Sequence, residues 1–391
     1  MSQVQVPAVA ISAAKLARLG TDLLCAHGLL TADAELVTDT LVESNLRGID
    51  SHGIARLPHY LKRLQGGSIH PRPQMTLEDL GPATARLDAN HALGQLAMNR
   101  ATDEAIRLAR NSGAGWVAVN NSSHCGALAY YGLRMANAGM LGLAFTHVDP
   151  MVLPFGARAP FCGTNPLCIC APRSSRGGDR LATGALCLDM ATSVTPWNSV
   201  ANAAQENVPI PLGWAVDGNG NDTQQADQVT ALYPFGEYKG SGLGLMIDVL
   251  CSMLSNSPYG PDIPKMYGDY SQHRRLGGLV GAIDISRFVP LEHFHARVDE
   301  MITRWNALTP AQPGGRVQFP GEPELRERER RLAEGISIGV NLLDELNTLA
   351  GQFNVTPLNA NGLMIDRHEK PTGPHGKTID RAARPTLPQA T

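Results

Sequence analysis

Lys239-Gly-Ser-Gly-Leu-Gly244, running into a helix through Ile247, Leu250 and Leu254, is the stretch on which the fold turns. Glycines ahead of a helix invite a dinucleotide fingerprint, G-x-G-x-x-G after a buried strand. Counted from Gly240, the last glycine slot holds Leu245, and Gly244 stands one place early. The preceding Phe235-Gly-Glu-Tyr238 is no buried strand, and no βαβ unit of the right size surrounds it. The lysine precedes the glycines, so this is not a Walker loop either. What remains is a glycine-lined helix start with a cation beside it, which suits an anion. The plainer alternative is close packing of backbone on backbone.

Upstream, the strand Ala185-Leu-Cys-Leu188 ends in Asp189-Met-Ala-Thr-Ser193. An acid and two hydroxyls at a strand end suit ribose or phosphate oxygens, and they also make a helix cap. Further upstream, the strand Trp116-Val-Ala-Val119 runs through Asn120-Asn-Ser-Ser-His124-Cys-Gly126 into a helix from Ala127 to Ala138. His124 therefore stands at a strand-to-helix junction, where side chains and free amides converge on ligands.

Arg47-Gly-Ile-Asp-Ser-His-Gly-Ile-Ala-Arg-Leu-Pro-His-Tyr60 places His52, Arg56 and Tyr60 at steps of four. On one helix they would share a face. An arginine fork grips a carboxylate, a histidine exchanges a hydroxyl proton, and a phenol donates a hydrogen bond. That set suits a small 2-hydroxy or 2-keto acid. Pro58 leaves two alternatives. A helix from Ser51 would be kinked, whereas a helix from about Ala55 would leave His52 on the approach loop.

The chain has 391 residues, 43% apolar and 18% charged, as in an ordinary soluble globular protein. A net charge of −3 gives no footprint for nucleic acid. The most apolar run, Met140 to Gly156, is broken by His147 and Asp149, so no membrane span is expected. Seven irregularly spaced cysteines form no disulfide framework, and Cys168-Ile-Cys170 lacks zinc-ribbon spacing. We read them as reduced, mostly buried thiols of a cytoplasmic protein, with no metal expected.

Helices are predicted over 11–30 and 32–47, with Thr31 as a cap, and over Leu93–Asn111, Leu291–Asn306, Pro323–Ala333 and Leu342–Leu349. Short strands are predicted between Thr76 and Asp88, and others over Leu141–His147, Leu167–Ala171, Trp214–Val216 and Leu279–Ile285. Residues 196–225 read as loop-rich. From about Pro357 the polar, Pro-rich chain reads as a disordered tail, 357–391.

Several of these motifs together resemble the type 2 malate/L-lactate dehydrogenase family. They are Arg47–Arg56, Asn121-Ser-Ser-His124-Cys-Gly-Ala127, Gly163-Thr-Asn-Pro166, Asp189–Ser193, Gly213-Trp-Ala215, Lys239-Gly-Ser-Gly242 and Pro320-Gly-Glu322. The resemblance implies an α/β, mixed-sheet nicotinamide-binding fold that is not Rossmann. It implies a nicotinamide-binding core over 76–290, an outer, mainly helical unit from 1–75 and 291–356, and a homodimer. It makes His124 and His52 the acid/base candidates and puts Arg56 and Tyr60 on the substrate. Asp189, Met190, Ala191, Lys239, Gly240, Pro320, Gly321 and Glu322 would line the cofactor. Asp149-Pro-Met-Val-Leu-Pro-Phe-Gly156, Asn306-Ala-Leu-Thr-Pro310 and Phe319–Glu322 are most similar to the family's ureidoglycolate-oxidising branch, which implies NAD, with NADP as the alternative. Where the family commonly carries Gly-Lys, this chain has Asn198-Ser199, so a cationic cofactor contact is missing.

Three functions follow as expectations. The first is oxidation of a small 2-hydroxy acid, with (S)-ureidoglycolate first, or malate, lactate or sulfolactate, or reduction of diketogulonate. The second is reduction of a cyclic imino acid. The third is anion binding without turnover.

Overall fold

The computed structural model describes residues 7–174, 181 and 184–358. Its strands are β1 (Ala8–Ile11), β2 (Thr76–Gly81), β3 (Thr84–Asp88), β4 (Ala114–Ser122), β5 (Met140–Thr146), β6 (Leu167–Ala171), β7 (Leu186–Met190), β8 (Ala215–Val216), β9 (Ala231–Leu232), β10 (Leu276–Asp284) and β11 (Ile336–Gly339). Its helices are α1 (Ala13–Ala26), α2 (Thr31–Leu46), α3 (Leu57–Gln65), α4 (Gly94–Ser112), α5 (Ala129–Asn137), α6 (Trp197–Gln205), α7 (Tyr238–Asp248), α8 (Leu291–Asn306), α9 (Glu322–Glu334) and α10 (Val340–Gln352).

The main sheet has seven strands in the order β2-β3-β4-β10-β5-β6-β7. Only β3 and β4 run parallel; every other pair is antiparallel. A mixed sheet of this order lacks the successive parallel crossovers of a doubly wound fold. The central strand β10 is buried almost throughout, and its glycines admit close neighbours. A Cβ at Gly277 would lie 1.9 Å from the Cys251 carbonyl oxygen. Helices α4 and α5 cover one face. Gly115 lets α4 sit against β4, since a Cβ there would lie 2.2 Å from the Ala105 oxygen.

Outside this sheet, β1 pairs antiparallel with β11, which ties the start of the described chain to its last third. The strand takes Ala8–Ile11, so the first helix begins at Ala13 rather than residue 11. Thr31 is the first helical residue of α2, not its cap, and Leu30 precedes it without a side-chain bond. The stretch read as loop-rich contains α6, whose Asn- and Ala-rich sequence buries only Val200 and Ala203. That is too weak a periodic signal to read in advance. Helix α4 ends where expected, at Gly113 in the left-handed conformation with φ +87°.

No helix among the described residues is long and apolar enough to cross a membrane. Of the predicted tail, Pro357 and Leu358 are described. Leu358 is buried, and the Asn347 side chain bonds both its amide and its carbonyl. Residues 359–391 lie outside the described part.

Candidate active site

The approach loop is held before it reaches His52. Asn45, buried at the end of α2, donates to Asp50 Oδ1 at 2.6 Å and accepts from the Ile54 amide at 2.7 Å. Gly53 makes this possible, since a Cβ there would lie 2.3 Å from Asn45 Oδ1. From α9, Arg331 grips both Asp50 carboxylate oxygens at 2.6 and 2.9 Å. Arg328 Nε donates to both carboxylate oxygens of Glu43 on α2, at 2.9 and 3.1 Å. The charge-dense helix thus clamps the loop that carries Ser51 and His52.

The chain then makes two short 3-10 turns, Asp50–His52 and Ile54–Arg56, before α3 starts at Leu57. Pro58 falls in the first helical turn, where its missing N–H costs nothing. The second sequence alternative is the one realised: His52 lies on the approach loop, and the shared His52–Arg56–Tyr60 helical face does not form. Arg56 is nevertheless fixed. Its Nε donates to the Ser51 carbonyl at 2.6 Å, one Nη to Tyr267 Oη, and the other to Asn198 Oδ1 at 3.2 Å. Asn198, at the site where the family's Gly-Lys is missing, supports the carboxylate-gripping candidate instead.

His124 is pinned by packing of its backbone on the start of α4. Ser123 Oγ accepts from the Gly94 amide and donates to the Ala92 carbonyl, each at 3.0 Å. A Cβ at Gly94 would lie 2.6 Å from the His124 carbonyl, so that contact requires glycine. The rings of His52 and His124 stack, with centroids 5.4 Å apart and planes at 25°. Ser51 Oγ lies 2.9 Å from His52 Nδ1.

Tyr60 differs from expectation. It is fully buried, one layer behind His124, with its Oη 2.6 Å from His124 Nδ1. Gln95 Nε2 donates to the same Oη at 2.9 Å. In this arrangement Tyr60 faces a histidine rather than open space, because α3 begins at Leu57 and turns Tyr60 inward with Leu57, Leu61 and Leu64. With Gln95 donating to Tyr60, the phenol proton points at Nδ1, and neutral His124 carries its proton on Nε2. Gln95 Oε1 is buried without a partner. A half-turn of that amide reverses the chain: the phenol donates to Gln95, Nδ1–H donates to the phenol, and Nε2 becomes a lone-pair acceptor. The Gly126 N–H, 3.4 Å from Nδ1, weighs towards the Nε2–H tautomer, and the amide half-turn makes the other one reachable.

Both histidines are held neutral. Burial, and then the Arg56 charge, lowers His52 to about 4. Burial, followed by the neighbouring His52 and Arg56, pulls His124 well below the usual histidine range.

Two further residues had no sequence signal. Tyr267 receives Arg56 and packs edge-on to His59, with ring centroids 5.2 Å apart. Arg274 is buried and donates to Asp149 Oδ1 at 2.6 Å, while its Nε and Nη1 have no partner among the described residues. Asp149 also accepts from the Met266 amide, next to Tyr267, so Arg274 belongs to the same wall.

The residues expected on the cofactor gather around the end of β7. Asp189 Oδ2 accepts from the Ala129 amide at 2.7 Å, at the start of α5, five residues beyond His124. Burial first, then Cys187, pushes Asp189 up to about 7. Met190 and Ala191 are half-buried beside it. The Cys187 amide donates to the Pro320 carbonyl at 2.9 Å, which lays Pro320–Glu322 along the outer edge of β7. Gly321 has φ +93° there, and the buried Glu322 carboxylate is taken by Arg326. Thr192 and the Phe235 carbonyl join this segment to α7 through the Phe235 amide and Gly240.

The anion reading of the α7 start needs correcting. The amides of Lys239, Gly240 and Ser241 already donate to Gly236, Phe235 and Glu237. A Cβ at Gly240 would lie 2.3 Å from the Phe235 oxygen, so this glycine serves close packing. Lys239 itself is exposed. A cavity of about 240 Å³ lies alongside, lined by Leu153, Phe161, Thr192, Gly240, Ser241 and Leu245 among others.

A family model described as malate/L-lactate dehydrogenase matches residues 11–347. The chain belongs to the malate/L-lactate dehydrogenase family. It is 37% identical over 328 residues to the ureidoglycolate dehydrogenase (NAD(+)) of Escherichia coli (strain K12), covering 84% of this chain and 92% of that protein. It is 30% identical over 348 residues to the Delta(1)-pyrroline-2-carboxylate/Delta(1)-piperideine-2-carboxylate reductase of Pseudomonas syringae pv. tomato, covering 88% and 97%. Among solved structures, the sulfolactate dehydrogenase from Methanocaldococcus jannaschii superposes with a TM-score of 0.82 at 30% identity, covering 89% of this chain and 98% of that one. The mixed-sheet, non-Rossmann expectation agrees with these neighbours.

Proposed function

We propose that this family member is an NAD-dependent oxidoreductase of a small 2-hydroxy acid. The observation that carries the reading is the stacking of His52 on His124 within reach of the Arg56 charge, with Tyr60 and Gln95 behind His124. The Nε2 atoms of both histidines have no protein partner among the described residues, whereas their Nδ1 atoms are held. Arg56 grips the C1 carboxylate, and its bonds to Ser51, Tyr267 and Asn198 fix the fork beforehand. His124 Nε2 takes the C2 hydroxyl proton in the tautomer with Nδ1–H on Tyr60. His52 donates a hydrogen bond to the same oxygen.

The donor set around β7 fits a nicotinamide dinucleotide, since Asp189 has one oxygen on Ala129 and a second left to accept from a ribose hydroxyl. When bound, the nicotinamide accepts the hydride. The first substrate is (S)-ureidoglycolate, oxidised to oxalurate in purine breakdown, supported by the 37% identity to a ureidoglycolate dehydrogenase. Cyclic imino acid reduction is the second reading, supported by the Gln95 and Gly126 donors, which favour the tautomer with a proton to donate on His124 Nε2. A nicotinamide absorbance assay decides between them, with NAD and 2-hydroxy acids in one direction and NADH and cyclic imino acids in the other.

The same reading assigns residues 76–290 to the nicotinamide core and 1–75 with 291–356 to an outer unit. It makes the protein a homodimer, supported by exposed Leu245, Met246, Met253 and Leu254 along α7 and its continuation, and sedimentation of the purified chain tests this. The free cysteines fit a reducing, cytoplasmic setting.

A further inference from the structure

The face of β6 and β7 that packs on α5 carries a square of four polar or sulfur side chains. Cys168 stands opposite Asp189, and Cys170 opposite Cys187. Side chains alternate along a strand, so all four share one face. Cys170 Sγ donates to Cys187 Sγ at 3.0 Å, and Cys168 Sγ lies 3.6 Å from Cys170 Sγ. Gly132 of α5 makes the room, since a Cβ there would lie 2.7 and 2.8 Å from the Cys170 and Cys168 sulfurs.

The register decides what the pair can do. The Cys187 N–H points away from β6, to Pro320. Cys170 and Cys187 are therefore a non-hydrogen-bonded antiparallel pair, the kind whose side chains approach most closely. A disulfide needs sulfurs about 2.05 Å apart, which is about 1 Å closer than they stand. Both side chains are buried, so peroxide reaches them when the β7 edge opens locally. The S–H groups of Cys168 and Cys170, helped by Arg47, lower Cys187 against the opposing effect of burial.

We propose that Cys170 and Cys187 are an oxidation site for peroxide, and that the disulfide between them weakens dinucleotide binding. Cys187 gives its proton to solvent and attacks one peroxide oxygen, so an S–O bond forms and the O–O bond breaks. The departing hydroxide takes the Cys170 proton and leaves as water. The Cys170 thiolate then attacks Cys187 Sγ; the S–S bond forms, the S–O bond breaks, and the second hydroxide leaves as water with a proton from solvent. Two thiols lose two electrons in all, and one peroxide becomes two waters.

The consequence for binding rests on the dinucleotide reading above. Cys187 bonds Pro320, a Cβ at Gly321 would lie 3.1 Å from Cys187 Cβ, and Asp189 is two residues on. Drawing Cys187 towards β6 moves the strand edge on which both cofactor candidates sit.

The test uses the full-length, reduced protein titrated with hydrogen peroxide. Free thiols are then alkylated, and a non-reducing digest is mapped by mass spectrometry. We expect a linked Cys170–Cys187 peptide that dithiothreitol removes, and an NADH dissociation constant several-fold higher in the oxidised protein. Cys168→Ala should keep the link; Cys170→Ala and Cys187→Ala should lose both the link and the effect of peroxide on NADH. The proposal is overturned if half-buried Cys25 oxidises while Cys170 and Cys187 stay free, or if these thiols hold a stoichiometric metal ion after purification. A link that leaves NADH affinity unchanged overturns the coupling. Reduced protein that binds no NADH refutes the functional reading instead, and the mapped peptide alone then decides the thiol pairing.

Discussion

Tyr60 Oη lies 2.6 Å from His124 Nδ1 and is itself held by Gln95. A buried phenol in that place sets which histidine nitrogen carries the proton. Tyr60→Phe keeps the ring and removes the bond. We expect kcat to fall by about 10- to 100-fold, or roughly 1–3 kcal/mol for an unpaired buried polar group, with substrate KM little changed. Steady-state kinetics check this. A large rise in KM with kcat intact would put Tyr60 on the substrate after all.

Arg56→Lys replaces a bidentate fork with a point charge. We expect kcat/KM to fall on the order of 100-fold, roughly 2.7 kcal/mol, for any 2-hydroxy acid. Asn198→Ala removes only one bond from the fork and should cost less, mainly in KM. Wild-type kinetics in a folded Arg56→Lys protein would remove Arg56 from the site.

The histidines set a direction for acid sensitivity. In the folded state His52 is lowered to about 4, His59 to about 3 and His91 to about 4, each by burial first. In the unfolded chain a histidine titrates near about 6.5. Below that value the unfolded chain takes up protons that the folded chain refuses, so stability is full above pH 6.5 and drains away towards pH 4. The urea midpoint should fall across that window. The acid limb of kcat/KM for oxidation should lie well below an ordinary histidine limb. A midpoint flat from pH 7 to pH 4 would contradict the neutral-histidine picture.

Asp189 shifts the other way, raised to about 7. The stability it contributes is present below the ordinary carboxylate range and lost as pH rises through about 7. Asp189→Asn should therefore gain thermal stability over wild type at pH 8 but not at pH 4. It should also weaken NAD binding and relax the preference for NAD over NADP, because an acid repels a 2′-phosphate. If wild type prefers NADP, Asp189 is not the selector. Arg173, bonded to Asp299 at 2.7 Å, then becomes the candidate, with Arg176 and Arg180 outside the described residues.

What could be read in advance was local. His52, Arg56 and His124 sit in short motifs whose chemistry depends on residue type, and the glycine pattern at Lys239–Gly244 was enough to set aside a Rossmann fold. Tyr60 was legible as a partner but not for what it partners, because the start of α3 decides which way it points. Gln95, Asn198, Tyr267 and Arg274 reach the site from distant segments, and no spacing announces them. The pairing of Cys187 with Cys170 and of β1 with β11 is long-range sheet register, which alternation within one strand cannot reveal.

The most direct test is NADH formation from NAD and (S)-ureidoglycolate, measured for wild type and for His124→Ala shown by circular dichroism to be folded. Positioned general-base catalysis contributes about 10²- to 10⁴-fold. We expect turnover in the wild type and a loss of that size in kcat for His124→Ala, with NADH affinity retained. Wild-type turnover in His124→Ala would contradict the general-base role of His124.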